Sequence, residues 1–179
     1  MPKDLAETLL AGEEVFSGRL LKVYRDRVRL PDGSESVREY IRHPGAVAIV
    51  ALLDDDRVVL ERQFRYPLGR VLVEIPAGKL EQGEDHLETG KRELLEETGY
   101  VAREWRRLGE IHNAIGYSDE VIEIWLARGL EQRQQQLAEG EFLEVFSLPL
   151  AEAQAMARDG RLTDVKTIVG LLWAAGPAG

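Results

Sequence analysis

Residues 78–100 read GKLEQGEDHLETGKRELLEETGY, and their spacing decides how the rest of the chain is read. Leu87, Leu94 and Thr98 recur near the 3.6-residue period of a helix, and Gly99 stands where a left-handed terminating residue belongs. Asp85, with Glu88 three residues on, resembles a capping box with Asp in the place of Ser or Thr. The pattern therefore predicts a helix over 85–97. At about 100° per residue, Glu93, Glu96 and Glu97 fall within an arc of roughly 100°, and the apolar stripe points elsewhere, toward a sheet. Like charges at these spacings weaken a helix by roughly 0.2–0.5 kcal/mol per pair. They also sit near the C-terminal end, where the helix dipole disfavours negative charge. A divalent cation removes the conflict, because Mg²⁺ prefers carboxylate and water oxygens. The helix alone would favour a solvated acidic face paired with Lys91 and Arg92. The loop before it carries Gly78, Gly83 and Glu84, and a glycine loop leading into an acidic helix favours a built site.

Taken together, Gly78, Glu84, Arg92, Glu93, Leu94, Glu96, Glu97, Gly99 and Tyr100 resemble the signature of the Nudix hydrolases, with every fixed position filled at the required spacing. Tyr100 stands where an aliphatic residue is more usual. The resemblance implies an α+β fold, an α/β/α sandwich with a mixed central sheet and a loop–helix–loop that holds Mg²⁺ or Mn²⁺ against a diphosphate. It implies Glu93, Glu96 and Glu97 as metal ligands, with the carbonyl of Ala77 as a further oxygen donor. Arg92 and Glu84 are expected to pair and orient the glutamates. The reaction implied is attack of water on one phosphorus of a nucleoside diphosphate derivative, with the other phosphate leaving.

Outside the signature, the resemblance is to the ADP-ribose pyrophosphatase branch. It is carried by FSGRLLKVYRDRVRLPDG, ERQFRYPLG, VEIPAGKLE and GYSDEVIEIWLA, across most of residues 16–172. The branch implies ADP-ribose as substrate and a loop glutamate as general base, for which Glu120 occupies the matching position and Asp119 is the weaker candidate. Glu120 otherwise reads as a loop acid at the start of a strand. Arg65 matches a phosphate- or ribose-contacting arginine, set against an ordinary exposed strand arginine. Glu74 faces substrate or pairs with an arginine. Tyr40 or Phe16 could stack on a base, although aromatic strand residues are more often core; His112 reads as structural. Ala114-Ile115-Gly116 lacks the proline common in the branch, so GDP-mannose, other nucleotide sugars, NADH and diadenosine polyphosphates stay open as substrates. The branch also implies a homodimer that exchanges N-terminal strands. This gives an expected division into a strand region, 1–45, and a catalytic domain, 46–179.

Working outward, the first half reads as strands. Arg19–Arg29 and Ser36–Arg42 flank the turn signal Pro31-Asp32-Gly33. AVAIVALL from Ala46 is a buried strand, and Arg57–Phe64 is predicted to be its partner across Asp54-Asp55-Asp56. Further strands are predicted at 71–75, 105–110, 120–127 and 142–146, and helices at 150–158 and 163–173. The biased stretch EQRQQQLAEGE, 131–141, reads as a solvated loop or frayed helix.

The whole chain has 179 residues, enough for one domain that buries its own core. It has no cysteine, which excludes disulfides, thiol catalysis and cysteine-bound zinc. A formal charge of −9 argues against nucleic-acid binding. The longest apolar run, Gly45–Leu53, is too short to span a bilayer, and the acidic N-terminus does not resemble a signal peptide. The expectation is a cytoplasmic enzyme. A regulatory module without chemistry would usually have lost the glutamates that are all present here.

Overall fold

The computed structural model describes residues 4–174. It contains ten strands and three helices among them: β1 Thr8–Ser17, β2 Lys22–Arg29, β3 Glu35–Arg42, β4 Ala46–Ala51, β5 Arg57–Arg65, β6 Arg70–Glu74, β7 Ala77–Lys79, α1 His86–Thr98, β8 Tyr100–His112, β9 Val121–Gln132, β10 Leu143–Pro149, α2 Leu150–Arg158 and α3 Val165–Ala174. None of the helices is long and apolar enough to cross a membrane. The contacts divide the chain into two compact units.

One unit is 4–44 with His112–Val121. Its β1, β2 and β3 form an antiparallel sheet in that order. β1 lies within the strand region expected over 1–45 but was not singled out there: almost all of its residues are exposed, so no apolar alternation marks it. Ile41 of β3 accepts from Asp119 N and donates to Tyr117 O, which ties the 112–121 loop to the strand. Tyr40 stacks on Tyr24 with ring centroids 5.7 Å apart, and its hydroxyl donates to Asp26, so in this structure its ring faces a neighbouring side chain.

The other unit is Gly45–Ile111 with 122–174. β4 is central in a mixed sheet ordered β7-β4-β9-β8, antiparallel to β7 and parallel to β9. Every residue of β4 is buried, as a strand covered on both faces must be. Val47, Ile49 and Ala51 pack with Leu94 of α1, while Ala46, Ala48 and Val50 share a cluster with Ala153 of α2 and Leu171 of α3. This is the α/β/α layering expected of the α+β fold. Gly90 of α1 is part of the contact: a Cβ there would sit 3.3 Å from Val47 Cγ1. The residue that lowers helix propensity is what lets the helix lie close to the sheet.

The predicted pairing of β4 with β5 is corrected. Only an isolated bridge, Leu52 to Val58, joins them. Asp56 takes φ 58°, and the chain leaves the turn to form a second sheet ordered β10-β5-β6. An acidic turn between two apolar runs signals a reversal, but it does not say which strand the second run will pair with.

α1 begins and ends as its sequence predicts. Asp85 caps it by accepting from Leu87 N and Glu88 N, and Gly99 closes it at φ 72° with its N–H on Leu95 O. The reciprocal half of the capping box is absent, because Glu88 takes Lys91 Nζ at 2.7 Å instead.

Candidate active site

The site is built on α1 and on the short β7 beside it. Arg92 is its hub. Its Nε and Nη2 each donate to Glu84 at 2.9 Å, while Nη1 donates to Glu93 at 2.7 Å and to Glu96 at 3.2 Å. The Arg92 fork holds Glu84 down to about 2, well below the ordinary carboxyl range. One cation thus fixes one loop acid and two helix acids. Lys91 takes no part, since it bonds Glu88 on the exposed side.

Gly78 gives Glu93 its place. A Cβ on Gly78 would lie 1.8 Å from the carboxyl carbon of Glu93, so the side chain occupies the space that any other residue would fill. Burial raises the Glu93 carboxyl, and its contact with Arg92 offsets part of that rise.

Glu97 differs from the expected picture of three carboxylates projecting together. It is only 3% exposed, and its Oε2 accepts from Ala77 N at 2.9 Å. On the helical wheel it lies next to the apolar stripe, so packing α1 on the sheet takes it inward. Burial pushes its carboxyl up to about 9, helped by the negative charge of Glu61.

Glu61 was missed. It lies on β5, is 1% exposed, and its Oε2 has no hydrogen-bond partner. Burial, and then the charge of Glu74, push it up to about 8. A lone glutamate in a strand reads as solvent-facing, and only the β5–β6 register, which sets Glu61 opposite Glu74, reveals otherwise. Glu141 was missed as well. Its charge raises Glu61, Glu93 and Glu97 alike. It belongs to the 131–141 stretch, which after the last two residues of β9 is the exposed loop that its composition suggested, not a helix. Arg133 N donates to Gly99 O at 2.6 Å and Gln136 N to Glu96 O at 3.0 Å, while Gln135 bonds Glu97 O. The segment caps the C-terminal carbonyls of α1 and so brings Glu141 to the site.

Arg65 and Glu74 form a two-pronged pair, Nε to Oε1 and Nη2 to Oε2, both 2.7 Å. Glu74 is buried and is also bonded by Lys166 Nζ. Burial alone would raise Glu74, but its bonds from Arg65 and Lys166 hold it below the usual carboxyl value. Glu120 belongs to the smaller unit. There its carboxylate lies 3.5 Å from His43 Nδ1 and accepts from Asn113 at 3.3 Å.

Among the described residues, no three Asp, Glu, His or Cys side chains stand gathered as a finished metal cage. The donor set still fits a hard divalent cation. It is made of carboxylate oxygens, one buried oxygen of Glu61 lacks any partner, and Glu97 is a buried carboxyl raised by burial and then by the charge of Glu61, two effects that a bound cation opposes.

Residues 7–41 match the nucleoside diphosphate sugar hydrolase N-terminal domain. The chain is 41% identical to an ADP-ribose pyrophosphatase of Bacillus subtilis, over 92% of this chain and 90% of that protein. It is also 41% identical to a methanol dehydrogenase activator of Bacillus methanolicus, over 96% and 94%. A crystal structure of an ADP compounds hydrolase superposes with a TM-score of 0.86 at 26% identity, covering 96% of this chain and 94% of the other. Residues 42–168, which contain the whole Arg92-centred cluster, match the NUDIX domain, and this chain belongs to the Nudix hydrolase family.

Proposed function

We propose that this protein hydrolyses the pyrophosphate bond of ADP-ribose to AMP and ribose 5-phosphate, using Mg²⁺, with Mn²⁺ as a substitute. The observation that carries the reading is the cluster of glutamates fixed by Arg92 beside the buried Glu97. The likeness to an ADP-ribose pyrophosphatase supports the choice of substrate.

Glu93, Glu96, Glu97 and the Ala77 carbonyl would hold the metal. When bound, it neutralises the non-bridging phosphate oxygens and lowers the pKa of the attacking water. Arg92 keeps Glu93 and Glu96 in place by taking up one oxygen of each. Arg65 spends Nε and Nη2 on Glu74, which leaves its Nη1 to donate to a phosphate oxygen. A general base takes the proton of the water as its oxygen bonds phosphorus and the bridging P–O bond breaks. Glu120 is the base the sequence suggests.

We further propose a cytoplasmic homodimer formed through the N-terminal strands, whose Leu9, Val15 and Phe16 are exposed in the single chain. The test of function is incubation of the pure protein with Mg²⁺ and, separately, ADP-ribose, GDP-mannose, NADH and a diadenosine polyphosphate. AMP release from ADP-ribose with the highest kcat/KM is expected. Preferential cleavage of another member of the panel would reassign the substrate.

A further inference from the structure

The clearest feature not used by this chemistry is a buried lysine. Lys166, in the first turn of α3, keeps only 10% of its side chain exposed. Its Nζ bonds Asp164 Oδ2 at 3.0 Å on one side and Glu74 Oε2 on the other. Glu74, with 2% of its side chain exposed, passes both oxygens to Arg65, whose side chain is 39% exposed. The four groups alternate in charge from the helix start outward, and Arg65 is the most open of them. The inner end is anchored. Asp164 accepts from Thr167 N at 3.0 Å and from Thr167 Oγ1 at 2.6 Å, and that hydroxyl oxygen in turn accepts from Ile75 N at 2.9 Å.

Stability alone does not account for this arrangement. Taking an ammonium group out of water is costly, and well-packed apolar residues commonly replace a buried ion pair without loss. Geometry offers the reason. A carboxylate held by a single partner can swivel about its own axis. Glu74 is held from two sides, so the fork it presents to Arg65 is fixed, and with it the direction of Arg65 Nη1.

We propose that Lys166 is a positioning residue for substrate binding: it locks Glu74, and through Glu74 it aims Arg65 at the phosphates of the substrate. This rests on the reading of Arg65 as a phosphate contact. The lock acts on binding in the ground and transition states alike, so its loss appears in KM rather than in kcat.

The test is steady-state kinetics on ADP-ribose at saturating Mg²⁺ for Lys166→Met, Lys166→Arg, Arg65→Gln and the Arg65→Gln/Lys166→Met double variant. Lys166→Met is expected to raise KM about tenfold with kcat within about twofold. Lys166→Arg, which keeps the charge, should return KM to within about threefold of the parent. On the Arg65→Gln background, Lys166→Met should add nothing, because the group it aims is gone. A purely structural role would instead lower the yield of active enzyme, leave KM alone and act additively. An unchanged KM in Lys166→Met, or additivity with Arg65→Gln, overturns the proposal while Arg65 keeps its role. An unchanged KM in Arg65→Gln removes the phosphate-contact reading and this inference with it. If ADP-ribose is not cleaved, the substrate reading alone fails, and the same variants are run on the nucleotide sugar that is. Should Lys166→Met not fold, Asp164→Asn frees the other side of Lys166. A rise in KM of about threefold is then expected, and an unchanged KM overturns the proposal.

Discussion

The carboxylate of Glu93 occupies the volume that a side chain on Gly78 would need, at 1.8 Å from an ideal Cβ to its carboxyl carbon. Gly78→Ala therefore separates function from folding. The Glu93 side chain is long enough to swing aside, so loss of stability should stay near 1 kcal/mol, at the low end for an overpacked site. Activity should fall by roughly 10²-fold, because Glu93 can no longer sit beside Arg92. Urea denaturation and kcat on the same preparation check this, and a parental kcat would contradict it.

Glu97→Gln should destroy activity and stabilise the metal-free protein. Folding raises the carboxyls of Glu97 and Glu61 to about 9 and about 8, above the ordinary 4.5. Between those values the folded state binds more protons than the unfolded chain, so metal-free stability falls as pH rises from about 4.5 toward 8–9. The Gln variant removes the share of that slope due to Glu97, leaves the share due to Glu61, and should be more stable at pH 9 by ~1–3 kcal/mol. Its kcat should drop by roughly 10³-fold, the scale of losing a preorganised electrostatic contact. Denaturation series at pH 5, 7 and 9 in EDTA provide the measurement.

Mg²⁺ should act in the opposite sense to protons. A cation bound by Glu97 favours the ionised carboxyl, so binding should release protons at pH 7 and raise the melting temperature more at pH 8 than at pH 5. Calorimetric titration in two buffers of different ionisation enthalpy reads the proton count. Release of no protons would disagree with a role for Glu97 in holding the metal.

Arg92→Ala should leave Glu84, Glu93 and Glu96 without their shared partner. Loss of a group that orients metal ligands typically costs 10- to 100-fold, so a drop in kcat of about that size is expected, with a weaker apparent Mg²⁺ affinity. Glu84→Gln should follow in the same direction by a smaller factor, because Arg92 keeps its contacts with Glu93 and Glu96.

Gln136→Pro tests the segment that closes α1. It deletes the N–H on Glu96 O, leaving that carbonyl without its cap, and should destabilise by ~1–2 kcal/mol. Because Glu141 lies on the same segment, activity should fall by more than the lost stability explains.

The parts of the site that were legible in the sequence are those whose chemistry is local. Asp85, Gly99 and the spacing of Leu87, Leu94 and Thr98 mark α1 without reference to any other element. Gly78 and the Arg92–Glu84 pair lie within the same loop and helix. The illegible parts depend on partners far along the chain. Glu61 and Lys166 are charged residues that local reasoning assigns to the surface, and only the pairing of β5 with β6 and the docking of α3 bury them. Glu97 shows the same thing over a shorter range: the apolar stripe marked the side on which the sheet would close, but not how far the sheet would reach round the helix to bury the carboxylate beside that stripe. The β4–β5 hairpin failed because a turn signal fixes a reversal and leaves strand pairing to long-range burial.

β4 pairs in parallel with β9, Ala46 beside Ile122 and Ala51 beside Ala127. The bed on which α1 rests thus joins two segments separated by more than a third of the sequence. A nascent chain emerging from the ribosome would hold every signature glutamate long before it held the strand that completes the sheet beneath them. Assembly of the catalytic centre is therefore a late event in biosynthesis. Truncations ending before residue 122 should retain the motif yet lack a folded centre, with no turnover at any metal concentration.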